Sequence, residues 1–199
     1  MSFYNSILIG LEASRMRQWS KNFLVFAAAI FTKDQSIFLW TNCIKAFASF
    51  CFISSFIYIV NDIIDLEADR QHPRKRFRPI ASGRMRMFDA IALAIVWLIL
   101  SMAISASVDF SLLATILIYL AIQIAYCFGL KRQPLLDLFC IASGFLLRAI
   151  AGVVASQGHW SPWFLLTVGL LALFLLAQRM ASGTLAQASS PPSAHTVTS

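Results

Sequence analysis

The chain has 199 residues, of which 59% are hydrophobic and 13% are charged, and its mean hydropathy is +0.74. This composition excludes an ordinary soluble domain and indicates an integral membrane protein. The formal net charge of +7 does not indicate a nucleic-acid partner, because Lys and Arg are concentrated between apolar runs. Such clusters are typical of chains that face the cytoplasmic leaflet or bind phosphorylated substrates.

The N-terminal part combines a short amphipathic lead-in at 3–14 with a basic stretch before the apolar run at 23–31. Because that run is short for a membrane span, we predict that the first helix begins near Met16 and tilts. Arg17 and Lys21 are four residues apart and could reach one phosphate, although snorkelling to the interface is the commoner role of such side chains. No charged region followed by an apolar core and a cleavage site is present, so no removable signal peptide is expected.

The second apolar segment, 37–64, exceeds the roughly 20 residues of a membrane span and delivers an acidic motif at its end. If its helix continues past 60, Asn61, Asp65 and Asp69 lie at i, i+4 and i+8, and Asp62 lies seven residues before Asp69. Carboxylates this close repel one another unless they share a hard cation. Mg²⁺ prefers oxygen ligands and completes its shell with substrate phosphate. We therefore predict that Asp62, Asp65 and Asp69 are metal ligands and catalytic residues, with Asn61 as a neutral substrate contact.

A basic loop follows the acidic motif directly. Its cations are Arg70, Arg74, Lys75, Arg76 and Arg78. Taken alone they are typical of a topology signal, but beside the acids they suit phosphate oxygens, and Lys75 and Arg78 are the predicted phosphate contacts. Prolines at 73 and 79 and the turn residues at 81–83 predict an ordered loop. Acids for a metal and bases for phosphate indicate a diphosphate site at a membrane surface.

Four further spans are predicted at 87–105, 110–129, 134–155 and 161–178, which gives an all-α polytopic membrane bundle of about six transmembrane helices. The distribution of Lys and Arg predicts that both termini and the loops bearing the site face the cytoplasm, with the chain in the cell (inner or plasma) membrane. We expect one transmembrane domain at 1–179 and a disordered, low-complexity tail at 180–199.

The later spans contribute three more candidate substrate contacts. Tyr126 and Lys131 bracket a helix end on the side of the acidic motif, where tyrosine is usually an interface residue. Arg148 lies in mid-span, so it is expected to face the bundle interior or a polar cavity, with a partner. Asp137 is about three turns away and too distant to pair with it.

Two other residue types in the spans predict packing rather than chemistry. Gly152 and its small neighbours indicate close helix contact. The cysteines show no Cys-x-x-Cys or Cys/His ligand spacing and are interpreted as core or lipid-facing thiols.

Four motifs together resemble a known family. They are Asn-Asp-x-x-Asp-x-x-x-Asp at 61–69, Arg-Gln-Trp-x-Lys-Asn at 17–22, His-Pro-x-Lys-x-x-Arg-Pro-Ile-Ala-Ser-Gly at 72–83 and Tyr-Cys-Phe-Gly-Leu-Lys at 126–131. The first resembles the signature of the intramembrane prenyltransferase superfamily typified by 4-hydroxybenzoate polyprenyltransferase, and the others are most similar to its decaprenyl-phosphate phosphoribosyltransferase branch. The resemblance implies Mg²⁺-dependent transfer of a 5-phosphoribosyl group from phosphoribosyl diphosphate to a polyprenyl phosphate, in cell-wall arabinan precursor synthesis.

The chain is expected to differ from this family in one respect, and two alternative functions stay open. Family members have about nine spans and a second aspartate-rich motif, whereas no acid follows Asp137 here, so we expect an incomplete, C-terminally truncated bundle. One alternative is prenyl transfer from a prenyl diphosphate to an aromatic acceptor, and another is a truncated non-catalytic membrane protein. Expected partners are the membrane, polyprenyl phosphate, phosphoribosyl diphosphate and, as an open alternative, a second copy of the chain.

Overall fold

A computed structural model describes residues 3–30, 36–130, 133–158 and 162–188. These residues form helices and no strands, as predicted. The α-helices are α1 Phe3–Ala13, α2 Phe26–Ile30, α3 Ile37–Ile64, α4 Leu66–Gln71, α5 Met87–Ala106, α6 Phe110–Phe128, α7 Pro134–Ala155 and α8 Pro162–Ala188. Two 3₁₀ helices, Met16–Val25 and Lys75–Phe77, lie between them.

Four of the described helices are long and apolar enough to cross a membrane: Ile37–Ile64, Met87–Ala106, Phe110–Phe128 and Leu136–Ala155. They coincide with four of the six predicted spans and confirm the all-α polytopic architecture. In the predicted last span the apolar helix covers Pro162–Phe174. Its backbone remains helical through Ala188, past the boundary predicted at 179, and 189–199 lie outside the described residues.

The predicted first span differs from the expectation in its helix type. Residues Met16–Val25 form a 3₁₀ helix, called the 3₁₀ segment below, and only Phe26–Ile30 continue as an α-helix. Arg15 precedes the segment in the left-handed region, with φ 49°. A 3₁₀ helix rises about 2.0 Å per residue against 1.5 Å in an α-helix, so the segment is longer along its axis than an α-helix of the same residues would be.

Helix α3 is the centre of the bundle, since α1, α2, α5, α6, α7 and the 3₁₀ segment all pack against it. Ser36 caps its start by accepting a hydrogen bond from the backbone N–H of Leu39 at 3.3 Å. The main apolar core lies between α3, α6, α7 and the 3₁₀ segment and includes Val25, Phe50 and Ile116. All four cysteines are buried free thiols, consistent with their predicted role in packing.

Close packing at Gly152 is confirmed. A Cβ atom on this residue would lie 2.1 Å from the backbone oxygen of Val25, so α7 and the end of the 3₁₀ segment touch backbone to backbone. Only glycine permits this approach, because any side chain would push the two elements apart.

A second apolar cluster lies under the basic loop. Ile80 and Met85 from the loop pack with Ala13 of α1, Ile59 of α3 and Ala90 of α5. Backbone hydrogen bonds within the loop, such as that from the N–H of Met85 to the oxygen of Pro79 at 3.0 Å, close its turns. The prediction of an ordered loop is therefore confirmed, and its cations are held on a packed base.

Candidate active site

Two carboxylates form the centre of the site. Asp62 lies in the last turn of α3 and Asp69 lies in α4, and their exposed fractions are 3% and 1%. Arg78 from the loop binds both, because its Nη1 lies 2.5 Å from Asp69 Oδ2 and 3.2 Å from Asp62 Oδ1. The pair separated by seven residues therefore meets at one guanidinium, as the helical spacing predicts.

The helix that carries these acids is interrupted once. Asp65 ends α3 with φ −87° and ψ 8°, and α4 begins at the next residue. The backbone hydrogen bonds of the helix continue across the break. The backbone N–H of Asp65 donates to the backbone oxygen of Asn61 at 2.9 Å, and that of Asp69 donates to the backbone oxygen of Asp65 at 2.8 Å. Asn61 and Asp65 are half-buried, whereas Asp62 and Asp69 face inward.

Two further cations complete the surroundings of the acid pair. Arg15 Nη2 lies 2.5 Å from Asp62 Oδ1, and its guanidinium lies over the ring of Tyr58 at 5.0 Å. Lys75 Nζ lies 3.9 Å from Asp69 Oδ1 and is half exposed. The three cations exceed the two buried acids by one charge, and they match the acids in number when the half-buried Asp65 is counted.

Arg15 was not among the predicted site residues, and it is separated from Asp62 by 47 positions. Its place is fixed by its neighbour, Ser14. The Oγ of Ser55 donates to the oxygen of Ser14 at 3.0 Å, and the Nε1 of Trp97 donates to its hydroxyl at 2.9 Å. The sequence shows Arg15 only as one of several basic residues before an apolar run, so no local signal distinguishes it.

The other predicted contacts do not all converge on the acid pair. Arg17 and Lys21 are exposed on the 3₁₀ segment. Tyr126 is partly buried near Asp137, with which its side chain shares a hydrogen bond. Lys131 lies outside the described residues.

Arg148 is buried in the bundle interior, as predicted, and its partners are protein groups. Its Nε donates to Asn22 Oδ1 at 2.6 Å, Nη1 to the oxygen of Gly144 at 2.7 Å and Nη2 to the hydroxyl of Tyr119 at 3.0 Å. The ring of Phe50 lies 5.6 Å from the guanidinium carbon. The residue thus connects the 3₁₀ segment, α3, α6 and α7 around one buried cation. Asn22 and Tyr119 are the partners that the sequence did not reveal.

The basic loop is also tied to the N-terminal helix. Arg84 makes a two-pronged contact with Glu12 of α1, at 2.8 Å and 2.7 Å, and donates to the oxygen of Phe77 at 2.6 Å. The hydrogen bond from this guanidinium to Glu12 raises the pKa of Arg84 above its ordinary value. Arg84 therefore remains charged and keeps α1, the loop and the acid pair in one assembly.

The three predicted metal ligands are carboxylates, the type of donor that Mg²⁺ prefers, but they do not form a group of three ligands. Among the described residues, no three His, Cys, Asp or Glu side chains lie together as a group that could hold a metal. However, Asp62 and Asp69 offer hard oxygen donors side by side, and Mg²⁺ is usually held by one or two carboxylates together with substrate phosphates. The acid pair therefore fits Mg²⁺, and the participation of Asp65 remains a prediction.

Together, the fold and site define a polytopic helical membrane protein with a buried acid pair, ringed by cations, at one end of its apolar helices. Comparison with known families matches residues 22–183 to the UbiA prenyltransferase family. The chain belongs to this family.

Two curated relatives share a name. The chain is 44% identical over 172 residues to decaprenyl-phosphate phosphoribosyltransferase of Mycolicibacterium smegmatis, which covers 84% of this chain and 54% of the relative. It is also 44% identical over 170 residues to the enzyme of that name from Corynebacterium glutamicum, covering 83% of this chain and 51% of the relative. The chain thus spans about half the length of the curated relatives it matches.

The fold is also found among solved structures. A UbiA homolog from Archaeoglobus fulgidus, bound to DMAPP and Mg²⁺, aligns with a TM-score of 0.71 at 23% sequence identity. The alignment covers 82% of this chain and 60% of that structure. At this identity the likeness establishes the fold, which agrees with the predicted helical bundle.

Proposed function

We propose that this chain takes part in Mg²⁺-dependent transfer of a 5-phosphoribosyl group from phosphoribosyl diphosphate to a polyprenyl phosphate such as decaprenyl phosphate, in cell-wall arabinan precursor synthesis. The observation that carries the proposal is the pair Asp62 and Asp69, buried between Arg15, Lys75 and Arg78. The identity to two decaprenyl-phosphate phosphoribosyltransferases supports the choice of substrates.

The cluster suits a diphosphate leaving group. Arginine presents several N–H donors in a planar fork that matches phosphate oxygens, and lysine contributes a point charge. Arg15 and Arg78 are each about one quarter exposed, with side-chain exposures of 27% and 23%, so an anion from the aqueous side can reach them. A bound metal would supply neutralisation of the charge that builds on the diphosphate as it leaves.

In the proposed reaction, an oxygen of the polyprenyl phosphate attacks the anomeric carbon of the ribose. A new carbon–oxygen bond forms there, while the bond from that carbon to the diphosphate breaks and the diphosphate departs with the electron pair. The attacking phosphate is already an anion, so the site needs no strong general base. Asp62, Asp65 and Asp69 are the proposed metal ligands, and the cations around them bind and orient the diphosphate.

The remaining predicted contacts belong to the proposal as well. They are Arg17, Lys21, Asn61, Tyr126, Lys131 and Arg148. The density of Lys and Arg at this end of the bundle supports a cytoplasmic orientation of the site in the cell membrane.

The test is transfer from labelled phosphoribosyl diphosphate to decaprenyl phosphate by the purified chain in detergent, with Mg²⁺. Asp62→Asn and Asp69→Asn should each lower the rate about 100- to 1000-fold, as expected when charge stabilisation at a leaving group is lost. Glu67→Gln is the matched control, because Glu67 lies on the same short helix as Asp69 but is exposed and pairs only with Arg70 among the described residues.

Parallel reactions decide between the alternatives. Product from a prenyl diphosphate and an aromatic acceptor, with none from phosphoribosyl diphosphate, would replace the proposal with the prenyl-transfer reading. No product from this chain, in an assay where the Mycolicibacterium smegmatis relative is active, would show that these residues alone do not catalyse the reaction.

A further inference from the structure

The oxygens proposed as metal ligands are already in contact with arginine. Asp62 Oδ1 accepts hydrogen bonds from both Arg15 and Arg78, and Asp69 Oδ2 accepts one from Arg78 at 2.5 Å. Because both carboxylates are almost fully buried, these contacts provide the main compensation for their charge. A divalent cation that binds the same oxygens must therefore displace these guanidinium groups.

We propose that Arg15 and Arg78 are exchangeable counter-ions, which neutralise the acid pair and transfer to the diphosphate when Mg²⁺ takes their place on the carboxylates. The inference rests on the proposed function for the identity of the anion. It assigns Arg15 to the substrate site and requires that the metal and the diphosphate bind cooperatively.

The charge balance explains the cooperativity. The three cations offset the charges of the three proposed metal ligands, Asp62, Asp65 and Asp69, so a divalent metal alone would leave two positive charges in excess. A diphosphate removes that excess and gives both displaced guanidinium groups a partner. Each ligand therefore lowers the free-energy cost of binding the other, and such coupling is necessarily reciprocal.

The geometry of both side chains allows the exchange. Among the described residues, Arg15 contacts a carboxylate through Nη2 alone and Arg78 does so through Nη1 alone. The other N–H groups of each fork can therefore point to an anion. Arg15 also occupies the left-handed backbone region, which is sparsely populated for residues other than glycine and is maintained by its surroundings.

The experiment measures Mn²⁺ binding by electron paramagnetic resonance, with inorganic pyrophosphate as the anion and chelation in protein-free samples subtracted. In the unmodified protein, pyrophosphate should tighten Mn²⁺ binding by about tenfold or more, within the usual range of coupling between sites. Arg15→Gln and Arg78→Gln should bind Mn²⁺ alone about three- to tenfold more tightly, because the competitor is gone, and should reduce the coupling towards one.

Two further variants control the result. Arg86→Gln removes an exposed arginine at the end of the same loop that binds Asp89 of α5, and it should leave Mn²⁺ binding and coupling unchanged. Arg15→Lys keeps a cation near Asp62 but not the fork, so Mn²⁺ alone should bind as in the unmodified protein while coupling to pyrophosphate falls.

The outcomes separate this inference from the proposed function, because no transfer is needed to observe them. Unchanged or weaker Mn²⁺ binding in both Arg15→Gln and Arg78→Gln, with thermal transitions like that of Arg86→Gln, would overturn the exchange. Full coupling without phosphoribosyl transfer would leave the exchange in place and overturn the proposed activity of this chain.

Discussion

Arg148 donates a 2.6 Å hydrogen bond from Nε to the side-chain oxygen of Asn22, and the two residues are 126 positions apart in the chain. The bond joins α7 to the 3₁₀ segment in the bundle interior, where Asn22 is 0% exposed. The acceptor for this buried cation is therefore a neutral amide oxygen rather than a carboxylate. The segment that begins next to Arg15 is thus anchored from the far end of the chain.

Replacing Asn22 should reveal the strength of this anchor. Asn22→Leu leaves a charged donor of Arg148 unsatisfied, so the free energy of unfolding should fall by about 1–3 kcal/mol. Asn22→Asp has the same shape and places a carboxylate at the guanidinium, so it should lose less than the leucine variant. Thermal unfolding in detergent measures both, and equal losses would show that Arg148 gains nothing from the acceptor at this position.

Gly152 should tolerate no side chain. In Gly152→Ala the new Cβ would meet the backbone oxygen of Val25 at 2.1 Å, and a backbone atom cannot move as a side chain can. Overpacking of this kind costs about 1–3 kcal/mol. Gly169→Ala is the control, because a Cβ at Gly169 of α8 meets nothing within 4 Å and alanine favours a helix by about 0.5–1 kcal/mol. A lower melting temperature in both variants would contradict the steric explanation.

The contact between Glu12 and Arg84 should order the basic loop more than it stabilises the fold. Glu12→Gln should change the free energy of unfolding by only about 0.2–1 kcal/mol, since the pair is half exposed. Tryptic cleavage between Arg74 and Arg78 should become faster, because the loop loses its tie to α1. Because the pKa of Arg84 is raised, its contribution is present below the ordinary arginine pKa and is lost only above it, so the effect should be constant from pH 6 to pH 9.

The matched control for this experiment is Asp89→Asn, which breaks a similar exposed pair with Arg86 at the start of α5. Cleavage of the loop should be unaffected there. Equal protection of the loop in the Glu12 variant and in the unmodified protein would show that α1 does not hold it.

Asp109 should make the start of α6 sensitive to acid. Its Oδ1 accepts a hydrogen bond from the backbone N–H of Ser111 at 2.6 Å, and hydrogen bonds from Ser111 lower the pKa of Asp109 below its ordinary 3.8. The contribution is therefore present above the ordinary pKa and is lost as the pH falls through the lowered value. Asn is also a good N-cap, so Asp109→Asn should lose less stability than the unmodified protein as the pH falls below the ordinary pKa of 3.8. Parallel acid-induced transitions in the two proteins would exclude this role.

The parts of the structure that follow from local spacing could be predicted from the sequence. Hydropathy placed α3 and the three spans after it, and the spacing of seven residues brought Asp62 and Asp69 together. The loop prolines correctly indicated an ordered base for Arg78. Each of these features depends on residues near one another in the chain, where helical periodicity fixes which side chains share a face.

The parts that depend on distant contacts could not be predicted. Arg15 lies in a basic stretch that looks exposed in the sequence. Its neighbours Arg17 and Lys21 have the four-residue helical spacing, so they were predicted as site residues instead. The 3₁₀ segment docks against Gly152 and Arg148, which lie more than 120 positions away and cannot be read from local propensity. Asn22, a small amide next to an apolar run, carries no sign that it will accept a bond from Arg148.

The contact between the 3₁₀ segment and α7 has a consequence for the order in which the protein folds during synthesis. At about 5–20 residues per second, roughly 6–25 s of synthesis separate Asn22 from Arg148. During that interval the side-chain oxygen of Asn22 and the backbone at Val25 lack their partners on α7, so this contact forms only after the fifth predicted span has entered the bilayer. Ribosome-bound intermediates that end before α7 should therefore already hold Arg15 beside Asp62, because Ser55 and Trp97 are made earlier, while the far end of the 3₁₀ segment docks late.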